Sequence, residues 1–131
     1  AGINSINTYR GFQEQAEDIK NNFLSFLIKT KSNGHSVVGY GAAAKGNTLL
    51  NFSGVRPDLL PYVIDKSDAK QDKFMPGSRV PIMSETQLKK DKPDYIVIFP
   101  WNIQDEIIEQ LAYIREWGGK FVIFIPSMRV I

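Results

Sequence analysis

Four short runs that are apolar on both faces, separated by stretches of helical pattern, leave this chain very few possible folds. The runs are Ser36–Tyr40, Tyr62–Ile64, Tyr95–Phe99 and Phe121–Ile125. A strand with one wet face alternates apolar with polar residues. These do not alternate, so both of their faces must be covered. Helices lying between successive strands supply the cover and require right-handed crossovers to parallel neighbours. The expected fold class is therefore α/β: a Rossmann-like, doubly wound, mostly parallel sheet with a long N-terminal helix. Val80-Pro81-Ile82 adds at most a short edge strand, because Pro81 cannot donate to a ladder.

The helices follow from period and punctuation. Tyr9, Phe12, Ala16, Ile19, Phe23 and Phe26 recur at steps of three and four, which predicts a helix from about Thr8 to Lys31, stopped by Asn33-Gly34. A stripe of this length suits a sheet or a neighbouring domain. A second helix is expected from about Asn47 to Phe52, closed by Gly54. Ser84-Glu-Thr-Gln87 has the form of a capping box opening a third. Asn102 is expected to cap a fourth, running to about Trp117, with Ile103, Ile107, Leu111 and Ile114 on one face. The polar stretch from Asp65 to Arg79 has the look of a long disordered loop, of a kind that is often functional. A chain of 131 residues is one domain's worth. Residues 1–34 form its leading helix and turn, and residues 35–131 its α/β core. It opens at Ala1 rather than Met and runs straight into a helical pattern, as a piece of something longer would.

Composition narrows the partners. The formal net charge is +2 with 23% charged residues, and no block of like charge marks a nucleic-acid or membrane surface. There is no cysteine and one histidine, which excludes disulfides and leaves too few ligands for a zinc site. The expected compartment is the cytoplasm. His35 lies before the first strand, at the wrong end for catalysis, and is expected on the surface. No nucleophile–base pair or acid–base dyad is visible, so no catalytic residue is expected.

In a doubly wound sheet the ligand sits at the carboxyl ends of the strands, where strand order reverses. The expected order puts the Ser36–Tyr40 strand beside the Tyr95–Phe99 strand. Two loops then face each other, Gly41 to Thr48 and Pro100 to Asn102, with Asp65 flanking the first. The first loop suits an anion: small residues admit the backbone, a helix N-terminus offers free N–H groups, Lys45 adds charge, and Asn47 and Thr48 add donors. Glycines there also serve tight packing. That alternative accounts for Gly39 and Ala42, and less well for Lys45-Gly46-Asn47-Thr48. Trp101 offers a flat face and Asn102 a hydrogen-bonding pair, although packing and capping are equally natural roles. Gly39-x-Gly41-x-x-Ala44 with Asp65 also approximates a dinucleotide fingerprint. Asn47 stands where a phosphate-binding loop has its lysine, which argues against an ATPase.

Gly41-Ala-Ala-Ala-Lys-Gly-Asn-Thr-Leu-Leu-Asn51 resembles the signature of the C-terminal domain of S-adenosylmethionine-dependent sugar C-methyltransferases. The likeness continues in order through Asp65, Lys70-Gln71, Pro76-Gly77, Val80-Pro81-Ile82, Pro93-Asp94-Tyr95, Trp101-Asn102, Glu106-Ile107, Gly118-Gly119-Lys120-Phe121 and Ile125-Pro126. The family loop often has proline where Ala43 stands. The resemblance implies a zinc-binding N-terminal domain and a central domain holding S-adenosylmethionine, neither represented in this chain, and no cofactor bound by this segment. It implies that this domain helps to bind a nucleotide-diphosphate sugar, its partner besides the missing methyltransferase domain. On that likeness Ala44, Lys45, Gly46, Asn47, Thr48 and Asn51 face the ligand, with Trp101 and Asn102 beside them; Gly41 of the loop and Asp65, a strand-end turn residue that can also contact a ribose or sugar, complete the expected substrate-binding set. The zinc cysteines and the histidine- and tyrosine-rich segment resembling the family's general base are absent, so the chain is not a complete methyltransferase. Two other readings stand beside this one. One is an independent NAD-type dinucleotide-binding domain. The other is a non-catalytic module that docks a partner through the leading helix.

Overall fold

The computed structural model describes residues 2–131, with side chains from residue 14 onward. Its core is a six-stranded sheet in the order β3-β2-β1-β4-β5-β6. The strands are β1 (Val37–Tyr40), β2 (Val63–Ile64), β3 (Ile82–Met83), β4 (Tyr95–Ile98), β5 (Lys120–Ile123) and β6 (Arg129–Val130). All neighbours pair in parallel except β5 and β6. The mostly parallel sheet expected from the apolar runs is thus present, with β1 beside β4. The short edge strand expected at Val80–Ile82 is also there, as Ile82–Met83. Pro81 sits just outside it, and its carbonyl accepts from the Val63 N–H at 2.9 Å. The antiparallel strand β6 has no counterpart in the sequence expectation.

The helices are α1 (Gly2–Ser32), α2 (Ala44–Ser53), α3 (Glu85–Asp91) and α4 (Gln104–Gln110). Strand side chains alternate between two cores. On one face Val37, Val63, Val97 and Val122 meet Phe23 and Leu27 of α1 and Leu49 and Leu50 of α2. On the other, Val38, Ile64, Ile96 and Ile123 meet Leu88 of α3, Ile107 of α4, and Leu111 and Ile114 beyond it.

The described part of the α1 stripe is therefore part of the domain's own core. Phe23 is fully buried, its ring edge-on to Phe99 and Phe124 at centroid distances of 6.2 and 5.1 Å. Burying a ring of this size contributes about 1.5–3 kcal/mol. Ile19, Leu24 and Phe26 pack around it. From Ile19 to Phe26 the stripe is occupied by the sheet, which removes the basis for docking a partner there. Tyr9 and Phe12 lie outside the described side chains.

Several local expectations are corrected. First, α2 begins at Ala44, not near Asn47, so Lys45, Gly46, Asn47 and Thr48 occupy helical turns rather than a loop. Second, Asn102 does not cap a helix. It lies in a 3-10 turn, Trp101–Ile103, and α4 starts at Gln104 without a side-chain cap. Ile103 is consequently 41% exposed instead of joining the buried stripe. Ser84 does precede α3, but its hydroxyl makes no capping bond. Third, the Asp65–Arg79 connection is ordered. Met75 N–H donates to the Val80 carbonyl at 2.8 Å and Arg79 N–H to the Met75 carbonyl at 3.0 Å, which folds residues 75–80 into a tight turn against the β3 edge.

Candidate functional site

Strand order reverses between β1 and β4, and the residues that leave both strands meet at their carboxyl ends. Gly41 follows β1 with φ +104°, a backbone that only glycine adopts freely. A Cβ here would also stand 2.6 Å from the Pro100 ring. This turn sends Ala42 and Ala43 across the sheet edge and into α2. Gly46 fits for a second reason: a Cβ would lie 2.9 Å from the Gly41 carbonyl oxygen and 3.0 Å from the Phe99 ring. Packing thus requires Gly41 in the loop and Gly46 in α2, and Gly39 as well, where Phe99 comes within 2.6 Å of a Cβ position.

Asp65, at the end of β2, braces the loop. Its Oδ2 accepts from the Ala42 N–H at 2.8 Å and its Oδ1 from the Ser67 N–H at 2.9 Å. Gln71 Nε2 donates to the Asp65 carbonyl at 3.0 Å. Each carboxylate oxygen is therefore already engaged by the backbone. The glycines and the acidic residue of the approximate dinucleotide fingerprint all have structural duties.

Above this brace the first bond of α2 runs from the Asn47 N–H to the Ala43 carbonyl at 3.0 Å. The N–H groups of Ala43, Ala44, Lys45 and Gly46 find no acceptor among the described residues. They are the open positive end of the helix dipole. Lys45 is exposed, and its Nζ donates to Asn102 Oδ1 at 2.5 Å while lying 4.7 Å from the centroid of the Trp101 ring. The two loops expected to face each other do so, through side chains 57 positions apart.

Of the residues singled out in the sequence, Gly41, Ala44, Lys45, Gly46, Asn47, Trp101 and Asn102 gather at the start of α2. Thr48 is exposed on the following turn. Asn51 faces elsewhere: its Nδ2 donates to the Pro76 carbonyl at 3.1 Å and to Asn47 Oδ1 at 3.3 Å. His35 is on the surface at the opposite strand ends, 3.6 Å from Asp94.

Two features escaped the sequence reading. One is a groove of about 450 Å³ between the start of α2 and residues 69–76. Lys73 and Phe74, which line it, carry no motif. The other is a polar tie that joins the 3-10 segment Ala112–Trp117 to α3 and the end of α4 to β1. Tyr113 Oη donates to Glu85 Oε1 at 2.8 Å, and Gln110 Nε2 donates to Tyr40 Oη at 3.1 Å. Burial pushes the Tyr40 and Tyr113 phenols up, and the Glu85 carboxylate adds to the effect, so both hydroxyls stay neutral. Only the alternation of Tyr40 with Gly39 along β1 could have pointed to the side chain's face. Its partners are set by tertiary packing.

No group of three or more His, Cys, Asp or Glu side chains converges among the described residues, so the donor set of a structural zinc is not assembled by them. No helix among them is long and apolar enough to cross a membrane.

Fold and site together define a Rossmann-like α/β domain whose exposed chemistry lies at the β1/β4 switch point. The chain belongs to the C-methyltransferase C-terminal domain family, whose model matches residues 1–126. It is 36% identical over 130 residues to the C-methyltransferase NovU of Streptomyces niveus, a match covering 99% of this chain and 31% of that relative. The chain thus spans about a third of the length of the curated relative it matches.

Proposed function

We propose that this domain holds the nucleotide-diphosphate sugar substrate of an S-adenosylmethionine-dependent sugar C-methyltransferase, with the diphosphate on the Gly41–Ala43 loop and the first turn of α2. The carrying observation is the row of four N–H groups, Ala43 to Gly46, without acceptors among the described residues and beside the Lys45 ammonium. Oxygens of a diphosphate accept from such donors, and each hydrogen bond to a charged group contributes about 1.5–3 kcal/mol. Asn47 and Thr48 stand within the same two turns to add polar contacts. Trp101 and Asn102 flank Lys45, so the sugar beyond the diphosphate lies against a flat aromatic face and an amide. Asp65 acts beneath the loop by fixing Ala42, and Asn51 acts by fixing the 76–77 turn.

The division of labour follows from what the domain offers. Its described residues present donors and a positive charge but no nucleophile–base pair, so its part is to bind and orient. In the parent enzyme S-adenosylmethionine supplies the methyl group from another domain, and a structural zinc belongs to a further one. The methyltransferase domain is accordingly this chain's protein partner.

Isothermal titration with thymidine diphosphate glucose, with NADH and S-adenosylmethionine as controls, tests the reading. Lys45→Ala should weaken the sugar nucleotide about tenfold to a hundredfold, the equivalent of roughly 1.4–3 kcal/mol, because one charged contact is lost. Unchanged affinity in the variant, or preferential binding of NADH, would overturn the assignment.

A further inference from the structure

The Lys45 ammonium is held by two neutral groups. Its Nζ donates to Asn102 Oδ1 at 2.5 Å and lies 4.7 Å from the centroid of the Trp101 ring. An ammonium only donates, so the amide atom that meets it is the oxygen, and the amide nitrogen points away. Among the described residues Lys45 has no ion-pair partner. Asp65, at the end of β2, spends its two oxygens on the Ala42 and Ser67 N–H groups.

Asn102 is presented by a frame that allows little play. Pro100 rests on the Gly41 turn, and the Phe99 ring fills the space beside Gly46. The Trp101 N–H donates to the Phe99 carbonyl at 2.8 Å and the Ile103 N–H to the Pro100 carbonyl at 3.0 Å, which closes the 3-10 turn between them. The two loops of the switch point are thus packed on each other at their bases and joined by a side-chain bond above. Lys45 is the second residue of α2, and helix side chains lean toward the helix N-terminus. Its stem borders a depression of about 10 Å³, lined also by Leu49, Phe99 and Trp101. That holds a water and little else, so the side chain cannot fold inward. The fold gives Asn102 no other task. It is exposed, caps no helix, and makes no further side-chain hydrogen bond among the described residues.

The neutrality of the holder decides its effect. An exposed lysine samples many rotamers, and fixing it on an anion costs entropy that a preset clip has already removed. A carboxylate in the same place would hold the ammonium more firmly but cancel its charge toward an incoming anion. An amide oxygen and an indole face orient the ammonium and leave its full charge in place.

We infer that Asn102 is a positioning residue for Lys45: its neutral amide oxygen, with the Trp101 ring beside it, presets the ammonium for a phosphate group without neutralising it. The inference rests on the diphosphate reading above.

Isothermal titration of the chain with inorganic pyrophosphate, which carries neither sugar nor base, tests it. Asn102→Ala should raise the Kd about threefold to tenfold, the scale of ordering one long side chain on binding. Asn102→Asp is isosteric but pairs with the ammonium, and should raise the Kd by about tenfold or more. In the Lys45→Ala chain, Asn102→Ala should have no further effect, because the two residues act as one unit. In ¹³C-edited spectra the Lys45 ε-methylene, close to the Trp101 ring current, should move toward the value of free lysine in Asn102→Ala. Equal losses from Asn102→Ala with and without Lys45 would make Asn102 a ligand contact in its own right. That result, wild-type affinity in either Asn102 variant, or an unmoved ε-methylene resonance would overturn the inference and leave the diphosphate reading standing. Pyrophosphate that binds wild type and Lys45→Ala alike, or binds neither, would overturn both.

Discussion

Replacing Asp65 separates a residue that shapes the loop from one that touches the ligand. Its carboxylate accepts two backbone N–H groups, from Ala42 at 2.8 Å and from Ser67 at 2.9 Å. Asp65→Ala removes both acceptors at once and leaves the Ala42 donor partly buried. Each bond to a charged acceptor is worth about 1.5–3 kcal/mol when well shielded, and partial exposure lowers that by roughly half. The expected loss is about 2–3 kcal/mol. For a domain of this size that corresponds to a fall in Tm of roughly 6–15 °C. Asp65→Asn keeps one acceptor and turns an amide donor toward the other N–H, so its loss should be about 1–2 kcal/mol. Urea denaturation followed by circular dichroism, without any ligand, measures both. Amide exchange at Ala42 and Ser67 should quicken in parallel. If Asp65→Ala leaves stability within about 0.5 kcal/mol of wild type yet lowers affinity for the sugar nucleotide, the brace argument is wrong and the carboxylate serves the ligand directly.

Gly46→Ala should gain about 1 kcal/mol in helix propensity and lose more to overlap with the Gly41 carbonyl and Phe99, for a net destabilisation of about 1–2 kcal/mol in urea melts. A stabilised variant would mean that the loop yields and that Gly46 is not held by packing. The Tyr62 phenol is pushed well up, first by burial and then by its hydrogen bond to the Asp91 carboxylate. Its folded value therefore lies above its unfolded value of about 10. The unfolded chain loses that proton first as pH rises, so stability is fully present below about pH 10 and falls above it. Tyr62→Phe should flatten that fall in urea titrations between about pH 8 and 11, and an unchanged slope would assign the alkaline loss to other groups.

The sheet was legible because its strands must be dry on both sides, and that requirement leaves apolar runs at Val37–Tyr40 and Tyr95–Ile98 which no local pattern contradicts. Helix boundaries were harder to place where a residue's reason lies far away in sequence. Gly46 looks like a helix breaker among its neighbours. It is inside α2 because Phe99, 53 positions on, occupies the space a Cβ would need. Asn102 looks like a cap because it precedes an amphipathic stripe, but its side chain is taken by Lys45. Asp65–Arg79 looks disordered because its order comes from side-chain clamps at Asp65, Gln71 and Asn51, and from a backbone turn at Met75–Val80, none of which has a periodic signature. β6 was missed because a two-residue strand with exposed side chains carries no apolar signal.

The same reasoning divides the glycine-rich segment into residues that the fold already uses and residues that it leaves over. Gly39, Gly41 and Gly46 are there because Phe99, Pro100 and the Gly41 carbonyl leave no room for a larger residue. Asp65 and Asn51 spend their hydrogen bonds on Ala42, Ser67 and Pro76. Around this segment the described residues leave over the N–H groups of Ala43 to Gly46, Lys45, Thr48, and the pair Trp101 and Asn102 that Lys45 leans on. The donors of the exposed residues Ala43, Ala44 and Lys45 and the half-exposed ring of Trp101 contribute little to stability, since water satisfies the first and a smaller residue would replace the second at small cost. A row of donors with one added positive charge does, however, match the oxygens of an anion in number and sign. A glycine motif alone therefore says less about the ligand than do the groups that remain unsatisfied once the glycines have done their packing.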